Sequence, residues 1–256
     1  MYGAVIGDYV GSRYEFEDFR STRFEFFGPG CHFTDDTVCT AAVADILLHG
    51  REPAATMQAW CRRYPNCSWG GRFASWIHLE RPAPYGSYGN GAAMRVSPAA
   101  YLNRRRSLSE AFAAADRVTG ITHDHPEGMK GARAVTHAIW MAFQGETPSS
   151  IAAAITGTHG YDLSRDVAAI RETYEYNETC QRTVPEALVC ALEARDFEQA
   201  VRNAVSLGGD ADTLAAIAGS VAEALHGIPE AFIRFAEAEI LRDAPDIRDV
   251  LRAMYA

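Results

Sequence analysis

The stretch SLGGDADTLAAIAGSVAEALHGIP, Ser206 to Pro229, sets the reading of the whole chain. Its apolar positions Leu214, Ile217, Ala218, Val221, Ala222 and Leu225 recur at spacings of three and four, the pattern of one buried helix face. Gly227 and Pro229 end the pattern, so it predicts a helix over 211–226. Just ahead of it stand Gly208, Gly209, Asp210, Asp212 and Thr213. A second acidic group, FTDDTV at 33–38, precedes a segment, Val38 to Leu48, that is apolar almost all round. That predicts a central, buried helix over 35–49.

A single Asp, Ser or Thr at a helix start is ordinary capping chemistry. A cap needs one acceptor, however, and each of these groups offers two carboxylates with hydroxyls beside them. Two buried helix ends packed together would bring four carboxylates into a small space, which is very costly unless something compensates them. A hard divalent cation is the natural compensation, because Mg²⁺ and Ca²⁺ take oxygen ligands. Four carboxylates balance two such ions, and a pair of ions polarises a substrate oxygen and orients a water.

The rest of the chain reads as helices. Further helices are predicted over 54–64, 90–103, 108–119, 126–143, 148–157, 164–174, 184–194, 197–206 and 230–254, and TRFEFF (22–27) as a loop or hairpin edge. Ser107 with Glu110, Asp124 with Glu127 and Thr183 with Glu186 have capping-box spacing, with Pro126 and Pro185 in first turns. The chain has 256 residues and no Pro/Ser-rich linker, which favours one domain over 1–256. The fold class expected is all-α: a single many-helix globule.

The formal net charge of −9 argues against a nucleic-acid partner. No apolar run reaches membrane-span length, and MYGAVIGDYVG lacks the basic start of a signal peptide, so no membrane association is expected. The six cysteines form no CxxC pair, which suits a reduced, cytoplasmic protein. A monomer is the default expectation.

Five segments, in order, resemble the motifs of the ADP-ribosylglycohydrolases. They are GAVIGDYVGSRYEF (3–16), FTDDT (33–37), YGNGAAMRVSP (88–98), THDHPEG (122–128) and the 206–229 stretch. The resemblance implies an all-α bundle with a binuclear Mg²⁺ site in a central cleft, Mn²⁺ being a substitute. It implies metal ligation by Thr34, Asp35 and Asp36 from one motif and by Asp210, Asp212 and Thr213 from the other. Ala211 stands where Thr or Ser is common, between the ligands. The implied reaction is hydrolysis of the bond joining ADP-ribose to an acceptor, with the ADP-ribose moiety of a modified protein as the partner. Asp36 or Asp212 would accept a water proton, and Glu15 would position that water or exchange a proton with the acceptor. Gly89, Asn90, Gly91, His123 and Gly209 are the expected substrate-binding residues, and His125 a helix cap. Arg95 would meet phosphate or pair with a core acid, and Tyr85, Tyr88, Trp69 and Phe33 are candidates for stacking on adenine. Arginine is the first acceptor expected, with serine, O-acetyl-ADP-ribose or modified nucleic acid as alternatives and a non-catalytic ADP-ribose-binding protein as the second reading. Loops 16–32 and 64–89 would set the choice.

Overall fold

In the computed structural model, which describes residues 1–256, the chain is all-α, with fifteen α-helices, one π turn and no strand. In order they are α1 (Tyr2–Ser12), α2 (Asp35–His49), α3 (Pro53–Arg63), α4 (Gly71–Trp76), α5 (Gly91–Met94), α6 (Ser97–Leu102), α7 (Leu108–Thr119) and α8 (Pro126–Phe143). There follow α9 (Pro148–His159), α10 (Val167–Thr173), α11 (Cys180–Leu192), α12 (Phe197–Val205), α13 (Ala211–His226), α14 (Glu230–Phe235) and α15 (Pro245–Tyr255). One isolated bridge joins Gly89 to Thr179.

Helix α13 is the axis of the molecule. Every residue from Ala211 to Glu223 is buried, and α1, α8, α11 and α12 all pack on it. Its closest partner is α1, and small residues explain why. A methyl group added at Gly3 would strike the Gly219 carbonyl, one at Gly7 the Ala215 carbonyl, and one at Gly11 the Ala211 carbonyl. One index rises by four while the other falls by four, so the helices run antiparallel along a single seam. Backbone meets backbone there because no side chain intervenes. The seam ends with the start of α13 beside the end of α1. Helix α2 enters the same corner, with Thr34 as its N-cap and Gly50 closing it at φ 64°. A continuous core of 69 buried residues surrounds these three elements.

Several boundaries differ from the sequence expectation. Helices α1 and α4 were not predicted. The first was hidden by its glycines, which count against a helix until their partner is known. The segment 90–103 is two short helices, broken at Arg95 and Val96. Helix α11 begins at Cys180, with Thr179 as N-cap, so Pro185 lies inside the helix and not in its first turn. Thr183 is therefore no cap. The box at Ser107 and Glu110 is present, whereas α8 is capped by His125, whose ring accepts from Glu127 N at 3.1 Å. Asp124 instead accepts from Gly86 N. The long helix expected over 230–254 breaks at a π turn, Ala236–Ile240. TRFEFF is a loop whose Phe26 and Phe27 stack on Phe232 and Phe235.

Candidate metal and nucleotide cleft

The corner where α1, α2 and α13 meet opens into a cleft of about 370 Å³. Its lining includes Glu15, Asp35, Asp36, Asp210, Asp212 and Thr213 together with Asn90, Arg95 and His123. The two acidic helix starts expected from the sequence are thus in one place. Thr34 Oγ1 lies 3.3 Å from Asp212 Oδ2, and Thr213 Oγ1 lies 3.3 Å from Asp36 Oδ2, so each group reaches across to the other. Glu15, Asp210 and Asp212 each present a carboxylate oxygen within 4.8 Å of the others.

This concentration of acid leaves its mark on the side chains. Burial, and then the neighbouring carboxylates, hold Asp36 and Asp210 well above the ordinary carboxylate range. Asp35 is raised likewise, by burial first and then by Cys39, Asp212 and Asp8. Burial, followed by Asp212 and Asp8, pushes Glu15 up to about 8. Asp36 is 2% exposed and its Oδ1 has no hydrogen-bond partner. A buried carboxylate oxygen without a donor is rare and calls for a ligand. The groups nearest it are the Thr213 hydroxyl and neighbouring carboxylates, an oxygen set that fits a hard divalent cation, although the Cys39 thiol also lines the cleft. Helix dipoles at the starts of α2 and α13 favour the charges by only about 1 kcal/mol each, too little to offset four mutually repelling carboxylates.

Asp8 was not singled out from the sequence, although it lies in the first motif. It is fully buried in α1 and accepts from Thr34 N at 2.9 Å, Thr34 Oγ1 at 2.8 Å, Thr37 N at 3.0 Å and Thr37 Oγ1 at 2.5 Å. It therefore ties the start of α2 to α1 and aims Thr34 at Asp212. The available signal was a lone acid in an otherwise apolar segment. Outer supports of this kind set metal affinity. Asp8→Asn keeps the shape but turns one acceptor into a donor facing the Thr37 and Thr34 donors. It is expected to weaken divalent-cation binding by about 10- to 100-fold, read by Mn²⁺ titration calorimetry; unchanged affinity would remove Asp8 from this role.

Stability should respond to pH in an unusual direction. Unfolded carboxyls ionise near 4, whereas burial and Asp212 raise Asp8 to about 7 and burial with the same neighbours raises Glu15 to about 8. Between those limits the native state binds more protons than the unfolded one, so raising the pH favours unfolding. Metal-free protein in EDTA should melt at progressively lower temperature from about pH 5 to 8. A melting temperature that rises over that window would contradict the mutual repulsion.

The other expected contacts are sorted by the structure. Asn90 is committed inside the protein, its amide donating to Asp210 Oδ2 at 2.6 Å and Thr183 Oγ1 at 3.1 Å. It fixes Asp210, so its side chain faces the acidic wall. Gly89 and Gly91 line the cleft beside His123. Gly209 lies outside it, in the adjoining mouth, at φ +74° against Tyr174 and Tyr176. Arg95 lines the cleft and pairs with no acid; it is 1% exposed and bonds Thr122 and His123. Of the four aromatic candidates only Tyr85 lines the cleft. Phe33 packs on Tyr64, Trp69 on Phe73 and Tyr88 on His125.

The mouth itself is built by Glu15, Phe16, Glu17, Asp18, Arg20, Glu175, Tyr176, Glu178 and Gly209. Its 175–178 side lies outside the loops singled out from the sequence. Phe16 and Tyr176 stack across it at 6.3 Å, and Phe16 is 78% exposed. No helix in the chain is long and apolar enough to cross a membrane.

The chain is similar to known proteins over nearly its whole length. The family model described as ADP-ribosylglycohydrolase matches residues 1–254. The ADP-ribosylarginine hydrolase Tri1 of Pseudomonas putida (strain GB-1) is 26% identical, over 89% of this chain and 70% of its own length. The ADP-ribosylhydrolase ARH3 of Homo sapiens is 24% identical, over 90% and 85%. Among solved structures, an ADP-ribosylglycohydrolase-related protein complex superposes with a TM-score of 0.72 over 99% of this chain and 94% of that one, at 24% identity, which establishes the shared fold.

Proposed function

Because the chain belongs to the ADP-ribosylglycohydrolase family, we propose that it is a divalent-cation-dependent hydrolase that cleaves the bond between ADP-ribose and a protein arginine. The convergence of Glu15, Asp210 and Asp212, with oxygens within 4.8 Å of one another, carries this reading. Thr34, Asp35, Asp36, Asp210, Asp212 and Thr213 would hold two Mg²⁺ ions, with Mn²⁺ as a substitute. Bound there, the cations would supply the positive charge that the carboxylates lack and would polarise oxygens of the substrate ribose.

The protein's own groups divide the remaining work. The acidic wall receives the ribose hydroxyls and so fixes C1″ in the cleft. Water adds its oxygen to C1″ as the bond from C1″ to the acceptor nitrogen breaks. Asp36 or Asp212 takes the water proton, and the departing nitrogen gains one. Glu15 lines both the cleft and its mouth, so it is the carboxyl placed to exchange a proton with the acceptor. That position, between the acidic cluster and the opening, suits proton exchange with an acceptor.

The mouth favours a cationic acceptor. Glu17, Glu175 and Glu178 line it, and Arg20, its one cation, is held by Asp18 and by backbone carbonyls. The stacked Phe16 and Tyr176 offer aromatic faces to a planar guanidinium. Serine would gain nothing from this arrangement. Arginine-linked protein reverses its modification in the reaction, so the product is an unmodified side chain and free ADP-ribose.

The test is release of ADP-ribose from one protein modified on arginine and another modified on serine, with Mg²⁺ and with EDTA. Release from the arginine-linked protein alone, abolished by EDTA, is the expected result. Preference for serine would overturn the acceptor assignment, and release unaffected by EDTA would overturn the metal dependence. ADP-ribose binding without any turnover would favour a binding protein.

A further inference from the structure

We propose that Arg95 is a positioning residue that fixes the proton of His123 on Nε2, so that the ring presents a constant N–H donor to the diphosphate of the bound nucleotide. This rests on the ADP-ribose reading above and deepens it. Arg95 lines the cleft yet is 1% exposed, and it has donors only. Its Nη2 donates to Thr122 Oγ1 at 2.6 Å and lies 3.3 Å from His123 Nδ1. Having accepted from Arg95, the Thr122 hydroxyl is free to direct its own hydrogen to His123 Nδ1, 2.7 Å away. Both neighbours of Nδ1 are then donors. Nδ1 must be the acceptor, and the hydrogen of the neutral ring lies on Nε2. Burial, and then Arg95, hold His123 well below its ordinary range, so the ring stays neutral.

The opposite ring edge faces the Gly89–Gly91 turn. A methyl group added at Gly91 or Gly89 would come within 3.3 or 3.6 Å of Nε2, so the missing side chains leave that N–H open to the cleft. Arg95 also carries uncompensated charge. Its Nε has no partner, and its further neighbours are the uncharged Cys39 thiol and the Phe73 ring at 5.7 Å. An unpaired buried cation on one wall favours an anion in the same cavity. The same cleft holds the carboxylates, so a nucleotide would place its hydroxyls toward the acids and its diphosphate toward the His123 Nε2–H.

Two measurements decide it. Long-range ¹H–¹⁵N spectra of the wild-type protein report which ring nitrogen of His123 is protonated; Nε2–H is expected, and Nδ1–H would overturn the proposal. In Arg95→Met the Thr122 hydroxyl can donate or accept, so both tautomers should appear; a folded Arg95→Met with Nε2 still fully protonated would remove Arg95 from the role. Should that variant not fold, calorimetric binding of ADP-ribose and of ADP, both with Mg²⁺, still tests the donor. His123→Gln places an amide N–H near Nε2 and should bind within about threefold of wild type. His123→Glu, an acceptor only, should lose about ten- to a hundredfold for both ligands. Gln as weak as Glu, or a loss seen with ADP-ribose and not ADP, would overturn the diphosphate contact. Failure of the wild-type protein to bind ADP-ribose at all would instead sink the functional reading and leave the tautomer spectrum standing.

Discussion

Asp36→Ala is expected to abolish turnover while leaving the metal-free protein as stable as the wild type or more so. Asp36 is buried among Asp8, Asp35, Asp210 and Asp212, and each neighbour raises the free energy of its charge. Removing it relieves that repulsion and eliminates the orphaned Oδ1. The same change deletes an oxygen ligand on which the cation site depends. Wild-type protein at Mg²⁺ about 100 times its Kd should gain about 2.7 kcal/mol, or on the order of 5–10 °C in melting temperature. In Asp36→Ala that shift should vanish and kcat should fall by about 10²–10³-fold or more. Differential scanning fluorimetry with and without Mg²⁺, run beside the release assay, separates the two effects. A variant that melts lower than wild type in EDTA would mean that Asp36 is a structural acid.

Gly7→Val should be the most damaging substitution for folding. Gly7 lies on the α1–α13 seam, where even a methyl group would run into the Ala215 carbonyl and the Ala216 amide. Backbone in two packed helices cannot step aside as a side chain does. Overpacking commonly costs 1–3 kcal/mol; here the loss should reach at least about 3 kcal/mol, equivalent to roughly 6–12 °C in a chain of this size. Activity should fall further than stability, because the seam sets how close Glu15 comes to Asp212. Gly157→Ala in α9 is the contrast: nothing lies within 4 Å of the new methyl, and the change should stabilise by up to about 1 kcal/mol. Equal melting temperatures for the two variants would contradict the seam.

The acidic half of the site was legible because it is local. Thr34 to Asp36 and Asp210 to Thr213 are short runs whose residue types announce their chemistry, and the buried helices that follow show a clear period. What was not legible depends on partners far along the chain. Asp8 is one acid in an apolar helix, and only the four donors from Thr34 and Thr37 give it meaning. Glycines 3, 7 and 11 argue against a helix in isolation, yet in the fold they are what lets α1 lie against α13. Asn90 was read as a ligand contact from a Gly-Asn-Gly turn and does line the cleft, but the turn gave no sign that its amide is held by Asp210, 120 residues away. Of the opening beside the cleft, Phe16 to Arg20 fall in a loop singled out from the sequence and Glu175 to Glu178 do not. Arg95 could not be placed because its role is set by burial against Thr122 and His123.

The central claim is that the carboxylates at the starts of α2 and α13 form one divalent-cation site. Crystals soaked in Mn²⁺ and measured for anomalous scattering test it most directly. Two strong peaks are expected in the cleft, within coordination distance of Asp35 or Asp36 on one side and Asp210 or Asp212 on the other, with the peaks lost in Asp36→Ala. A cleft without anomalous density, in crystals that bind Mn²⁺ elsewhere, would contradict it.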